Sequence, residues 1–291
     1  MTVADGGVRA GRGGPGPVGR TRGKGNWGRL VIERTVDDMS YEAKNPVQAT
    51  RRSLDVVETL RELEGARLTT IAEEVDLPDS TVHSHLTTLM EGEYVVKEGD
   101  TYRLGLRFLE LGEFTRSLRK IHRVTEPELA ELAADTGEVA TLVVEEGGMG
   151  VVLDSARGAD AVPADIDPGT RFHLHTSALG KAILAHMPDD EVDAIVDRHG
   201  LAAYADETIT DRNALREELQ ATRERNVAYD TEERVARSKS VAASIKNESG
   251  QIVGSVGVSG PVGRLRDDRL SEIEDRLHDV TNIVELKLVY A

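Results

Sequence analysis

Several residue pairs in this sequence have types and spacings that can do chemistry. Ser177 and Lys181 stand four apart in a helical stretch, and a serine beside a lysine can be a nucleophile with its base. The penicillin-recognising Ser-x-x-Lys spacing is one residue shorter, and its companion motifs are absent. Gly180-Lys181 lacks both the earlier glycine and the following Ser/Thr of a phosphate-binding loop. His83/His85 and His173/His175 are each two apart, so on a strand the second pair would share a face and could ligate a metal. No cysteine and no tight acidic partner completes a ligand set, so neither a metal nor a cofactor is expected. "GSVGVSG" at 254–260 sits in a strand pattern, where glycines admit close backbone approach more often than they bind phosphate. These signals do not add up to an enzyme; a Ser/Lys-dependent hydrolase is kept as an alternative.

A different chemistry is written in "PDSTVHSHLTTL", residues 78–89. Val82, Leu86 and Leu89 recur at helical spacing, while Ser80, Ser84 and Thr87 fall on the opposite side and His83 and His85 flank them. A hydroxyl-only face on a short helix suits contact with base edges.

The elements that position it are legible around it. Residues 47–64 read as an amphipathic helix with Leu54, Val57, Leu60 and Leu63 on one stripe. Thr69 can cap a short second helix, Pro78 breaks the chain, and Asp79 or Ser80 can cap the third helix. "EYVV", "KEGD" and "TYRL" read as strand, turn and strand, ending near Leu104. Three helices and a hairpin, over 45–104, are the order of a winged helix-turn-helix. Arg51 and Arg52 at the start of the first helix, Lys97 at the hairpin tip and Arg103 in its second strand would meet phosphate, and Ser80, Thr81, His83, Ser84 and Thr87 the groove.

Charge argues the other way. The chain of 291 residues carries a net charge of -16, with 28 arginines against 8 lysines and only 3% aromatics. Residues 45–103 alone hold six Arg/Lys and twelve Asp/Glu. Such acidity is the balance of proteins working in concentrated salt, where counterion release contributes little affinity and specificity rests on groove contacts and DNA shape. A salt-loving host is therefore expected; a winged helix used only for protein contact is the alternative.

Residues 1–44 differ from the rest: ten of the 28 glycines lie in the first 28 residues, among seven Arg/Lys and four Asp/Glu up to position 38. This segment is expected to be a disordered basic tail, or an upstream extension of a frame that truly starts at Met39. No run of eighteen apolar residues and no signal-peptide core is present, so a cytoplasmic protein is expected.

Residues 105–122 read as a linker helix with a coiled-coil-like seam at Leu111, Phe114, Leu118 and Ile121. Residues 123–291 then read as α/β. "VATLVVEE" and "GVVLDSA" look like strands, "SALGKAILAHM" and "DRNALREELQATRER" like helices. "SVAASIKNESGQIVGSVGVSG" looks like a long hairpin, and a C-terminal amphipathic helix follows it. The fold class is thus α+β in two domains.

Several spaced motifs together resemble the isocitrate-lyase-regulator (IclR) family of transcription factors. They are the leading Arg-Ser-Leu-Asp, the Leu-Pro-Asp-Ser-Thr-Val-His turn, Tyr-Arg-Leu-Gly after the hairpin, "HTSALGKA" and "GSVGVSGPVGRL". The likeness spans residues 46–291. It implies double-stranded DNA as partner, a homodimer or tetramer, and a GAF-like effector-binding domain sensing a small molecule, often an organic acid. Two departures affect the DNA half: Ser84 stands where relatives usually have Arg, and Asp76 where they usually have Gly.

For the sensor, Ser177, Ala178, Leu179 and Gly180 offer helix-end amides to a carboxylate. The resemblance adds Asp230, Ser240, Gly257 and Ser259 as pocket residues. Ser240 replaces a Cys, and Gly257, where serine is common, is expected to lose a donor and open space. Ser244 replaces a Pro and Arg237 a frequent Gly, the latter as an anion contact or a solvated loop charge.

Overall fold

The computed structural model describes residues 43–162 and 166–290. All but the last two residues of the expected 1–44 tail, with the start at Met39, lie outside the described residues.

The first unit of structure is built from α1 (Gln48–Glu62), β1 (Ala66–Arg67), α2 (Leu68–Glu74), α3 (Asp79–Glu91), β2 (Val95–Glu98) and β3 (Thr101–Leu104). The expected hairpin is present, and β1 adds to it as a third antiparallel strand in the order β1-β3-β2. Two residues are too short a run for any periodicity to announce. The core gathers Val56, Leu60, Ile71, Val82, Leu86, Val95 and Tyr102. Val82 and Leu86 are buried as their spacing demands, with Leu89 packed against them. The stripe on α1 is rotated from expectation: Val56 and Leu60 are buried, whereas Leu54 and Leu63 are exposed. Only the side of α1 facing α2, α3 and β3 is covered within this unit.

The expected caps are absent. Helix α2 starts at Leu68 behind Arg67, and α3 at Asp79 behind Pro78, neither with a side-chain cap. Asp79 lies instead in the first turn, where its charge complements the helix dipole. Asp76 holds φ +50 in the turn between α2 and α3, the left-handed conformation for which glycine is the usual choice and Asp a tolerated one.

The linker expected as one helix over 105–122 is two. Helix α4 (Arg107–Ser117) ends at Leu118, Arg119 is extended, and α5 (Lys120–Thr136) begins. The seam divides with it, Leu111, Phe114 and Leu118 being exposed and Ile121 buried in the second domain's core.

That second domain is a six-stranded antiparallel sheet, in the order β6-β5-β4-β9-β8-β7, between two helical layers. Its strands are β4 (Val139–Glu146), β5 (Met149–Arg157), β6 (Arg171–His173), β7 (Ala228–Thr231), β8 (Ser238–Lys246) and β9 (Ile252–Pro261). Alternation along β8 sends Val241, Ala243 and Ile245 toward α5 and α9 (Asp267–Tyr290). Ala242 faces the other layer, made of α6 (Ala178–Leu184), α7 (Asp189–His199) and α8 (Arg212–Arg225). Among the described residues, no helix is long and apolar enough to cross a membrane.

Helix α6 docks tightly on this layer. A Cβ on Gly180 would lie 2.0 Å from the Leu174 carbonyl oxygen, so only glycine lets the helix start against the 3-10 turn of Leu174–Thr176. The Ser255 hydroxyl donates to the Leu179 carbonyl at 2.8 Å, tying the same helix to β9.

Candidate functional site

Two surfaces gather the residues singled out by sequence. The first is α3. Ser80, His83, Ser84 and Thr87 are exposed, while Thr81 is half-buried. The hydroxyls do not point idly into solvent. Ser84 donates to the Ser80 carbonyl at 2.9 Å, Thr87 to the His83 and Ser84 carbonyls at 3.0 Å, and Thr88 to the Ser84 carbonyl at 2.9 Å. Each hydrogen is spent inside the helix, so the oxygens face outward as acceptors. Thr88 extends the face beyond the residues that sequence singles out, and its spacing of four from Ser84 is the signal that points to it. His85 is a structural residue, its Nδ1 lying 2.9 Å from the Ser53 hydroxyl of α1.

The basic residues differ in availability. Arg52 is exposed and Arg51 half-buried at the start of α1. Lys97 is a strand residue rather than the tip, its ammonium 5.1 Å from the centre of the Tyr102 ring. Arg103 is engaged, 3.3 Å from Glu98 and donating to the Glu64 carbonyl at 3.2 Å. The tip itself is Gly99-Asp100, beside Glu98. An exposed ion pair of this kind is worth little.

The second surface is the α6 side of the sheet. Ser259 pairs with Ser240, and Ser240 with Asp230, so three of the four pocket residues expected from the resemblance form one row across β9, β8 and β7. Asp230 accepts from the Ser240 hydroxyl at 3.2 Å and from the Glu233 amide at 2.9 Å. Burial pushes its carboxyl above the usual range.

Two expectations are corrected here. The amides of 177–180 are not all on offer, since the Ser177 hydroxyl caps that of Gly180 at 3.1 Å; those of Ala178 and Leu179 remain at the helix end. Gly257 opens no space, because a Cβ there would meet Val241 O and the Ala242 Cβ at 2.8 Å and Leu179 Cδ2 at 3.0 Å. Leu179 packs where a serine would project. Arg237 is an exposed loop residue at φ +64, which accounts for the glycine preference at such a position.

By sequence Lys181 offers a base beside Ser177 or the lysine of an incomplete phosphate-binding loop. It is fully buried, with Nζ 2.5 Å from Glu233 Oε1 and 3.5 Å from Glu218 Oε1, and Glu218 also accepts from Arg225 at 2.7 Å. With the Ser177 hydroxyl capping its helix and Lys181 held by carboxylates, neither is arranged for nucleophilic chemistry. Burial drives the Glu233 carboxyl up to about 7, against the pull of Lys181. No sequence spacing links positions 181, 218 and 233.

The histidine pair also has a structural use. His175 donates from Nε2 to the Ala202 carbonyl at 3.1 Å, and the His173 Nδ1 meets the Tyr204 hydroxyl. Both anchor the loop that brings Thr208 to the Glu233 carbonyl. Burial lowers His175 to about 4, keeping it neutral. Among the described residues no His/Asp/Glu group is arranged to hold a metal ion.

These shifts have opposite signs in stability. Glu233, raised from 4.5 to about 7, favours the folded state while protonated; that contribution is present below pH 4.5 and lost as pH rises through about 7. His175, lowered from 6.5 to about 4, contributes above pH 6.5 and loses that contribution as pH falls through 4. Glu233→Gln should therefore gain Tm relative to the parent as pH rises across the upper window, in melts over both. Parallel curves would show that the Glu233 carboxyl does not titrate as the structure requires.

Comparison with known proteins adds an independent line. Residues 49–99 match the model of the "IclR helix-turn-helix domain" and residues 115–285 that of the "Bacterial transcriptional regulator IclR C-terminal". The regulator BhcR of Paracoccus denitrificans is 33% identical over 81% of this chain and 86% of its own. The probable regulator ArcR of Halobacterium salinarum is 28% identical over 86% of this chain and 99% of its own. Among solved structures, an IclR homologue from Microbacterium hydrocarbonoxydans complexed with 4-hydroxybenzoate has the same fold. Its TM-score is 0.73 at 21% identity, over 84% of this chain and all of that one.

Proposed function

As the chain belongs to the IclR family of transcriptional regulators, we propose that it is a cytoplasmic, non-enzymatic switch that reads a promoter through α3 and answers a small carboxylic acid. The observation that carries the DNA reading is the exposed hydroxyl face of α3 on a winged fold. Helix α3 enters the major groove with Ser80, Thr81, His83, Ser84 and Thr87, while Arg51, Arg52, Lys97 and Arg103 hold phosphates. With Ser at 84 no bidentate Arg–guanine contact forms there, so discrimination rests on short hydroxyl contacts, water and shape. A host with concentrated salt suits the acidic surface.

The working unit is a homodimer. Leu106, Leu109, Phe114 and Leu118 are 59–83% exposed around one short helix. In so acidic a chain such a patch is costly to leave in water, and burying each side chain contributes about 1.5–3 kcal/mol. Two copies then present two α3 helices to a two-fold site.

In the sensor, an acid sits against the amides of Ala178 and Leu179 at the start of α6, near the row Asp230–Ser240–Ser259. The Microbacterium relative, with its aromatic hydroxy acid, supports this class of effector.

Three outcomes test the reading. In gel shifts at high salt, Arg51→Ala with Arg52→Ala should weaken binding to every sequence alike, and Ser84→Ala should change base preference; if neither differs from the parent, the docking is wrong. Sedimentation should find a dimer that Phe114→Asp shifts toward monomer, and an unchanged dimer would exclude α4 from the interface. Thermal shifts should show stabilisation by benzoate, 4-hydroxybenzoate or small metabolic acids; a response confined to sugars or bases would defeat the acid.

A further inference from the structure

Helix α4 runs between two separate cores, yet none of its own residues is buried. Its start is fixed to the winged helix by packing. The Phe108 ring meets that of Tyr94, just before β2, edge to face with centres 5.3 Å apart. The Arg107 guanidinium lies 5.4 Å from the centre of the same Tyr94 ring. Its end is held by charge. Arg116 donates to Asp154 Oδ1 on β5 at 3.3 Å, and Glu113 accepts from the same guanidinium at 2.9 and 2.8 Å, aiming it from within α4. Asp154 Oδ2 lies 3.1 Å from Nε2 of His122, in the first turn of α5. One carboxylate thus holds a side chain from each helix, on either side of the extended Arg119. The contacts of Arg119 with Glu146 and of Lys120 with the Leu288 carbonyl lie beyond α4 and anchor the start of α5 instead. The Asp154 contacts are largely out of water, so salt screens them less than it screens the exposed Arg103–Glu98 pair.

Packing fixes one end of α4 and a carboxylate the other, so the carboxylate sets its direction. We propose that Asp154 is a positioning residue for DNA reading: through Arg116 and His122 it fixes the angle between α4 and α5, and with it the direction in which the winged helix is carried from the second domain. The inference rests on the two-copy reading above and adds what sets the distance between the two α3 helices. A dimer reads half-sites about one helical turn apart, or a multiple of it, when both recognition helices are held at that distance. A loosened joint leaves each winged helix able to bind its own half-site and removes the preference for one spacing. Asp154 itself touches no DNA in this scheme; it acts through α4.

The test is selection by the full chain from a pool of random duplex DNA. Gel shifts then compare the enriched site, its spacer lengthened or shortened base pair by base pair, with one half-site alone. The parent should prefer one spacing by about tenfold over its neighbours, the order of one hydrogen bond between charged groups. Asp154→Ala should lose most of that preference while its affinity for the single half-site is unchanged. Arg116→Ala should do the same, and the double variant should be no flatter than either single one, since both remove one contact. Asp154→Asn, whose amide oxygen still accepts from Arg116, should keep part of the preference. A role in folding alone would instead lower Tm and every affinity together. If both alanine variants keep the parent's spacing preference, or lose single half-site binding with it, the positioning role falls while DNA reading stands. If the parent shows no preferred spacing although sedimentation finds a dimer, the positioning role falls alone; without a dimer, the two-copy reading falls first and takes it along. If no DNA is enriched, the DNA reading itself falls. Should Asp154→Ala fail to fold, Arg116→Ala decides, because it leaves the Asp154–His122 contact in place.

Discussion

The sensor domain depends on one buried charge. Lys181 is wholly removed from water, and an unpaired ammonium there would be prohibitive. Glu233 and Glu218 neutralise it, and in doing so they bind α6 to the segment after β7 and to α8. Asp230 is drawn into the same group through the Glu233 amide, and Ser240 through Asp230. Replacing one partner would strand the others, so the network holds or fails as a whole. Asp230 and Ser240 of the polar row on the sheet are tied into this network by hydrogen bonds.

A second polar contact lies between the halves of the molecule. Asp154 on β5 meets Arg116 of α4 at 3.3 Å and His122 of α5 at 3.1 Å, on either side of the break at Leu118–Arg119. β5 and β9 both pair with β4, so α4 is attached to the sheet that carries the polar row. The pairing of Thr141 with Ser155, next to Asp154, puts the two faces of that strand one residue apart. The physical connection from the polar row to the helix beside the DNA-binding unit is therefore short and made of strand backbone. The break in the linker is its natural joint, because no helical hydrogen-bond ladder crosses an extended Arg119.

On the DNA side the constraint is electrostatic. The winged helix has twice as many acids as bases, and Arg103 is already engaged with Glu98. Long-range attraction to phosphate is weak on such a surface, and weaker still when salt screens it. What is left is contact at close range. Val82 and Leu86 hold α3 against the core from behind and the Ser53–His85 contact ties it to α1, so the hydroxyl face is presented at a set angle.

Much of this was legible along the chain. Local periodicity located α1, α3, the β2–β3 hairpin, the β8–β9 hairpin and α9, because each buries a regularly repeating face. Composition set the acidic surface, and motif order carried the family and the row Asp230, Ser240, Ser259. Short elements without a repeat, β1 and β6, left no signal. Neither did the break at Leu118–Arg119, where the seam continues through a joint that backbone geometry alone reveals. Tertiary packing also decided that Gly257 accommodates Leu179 rather than a ligand. It decided as well that Lys181 is a buried cation bound by Glu218 and Glu233. Such contacts join residues up to 78 positions apart, as 257 − 179, and a one-dimensional pattern records which side chains are apolar or charged, not which charges must share one dry space.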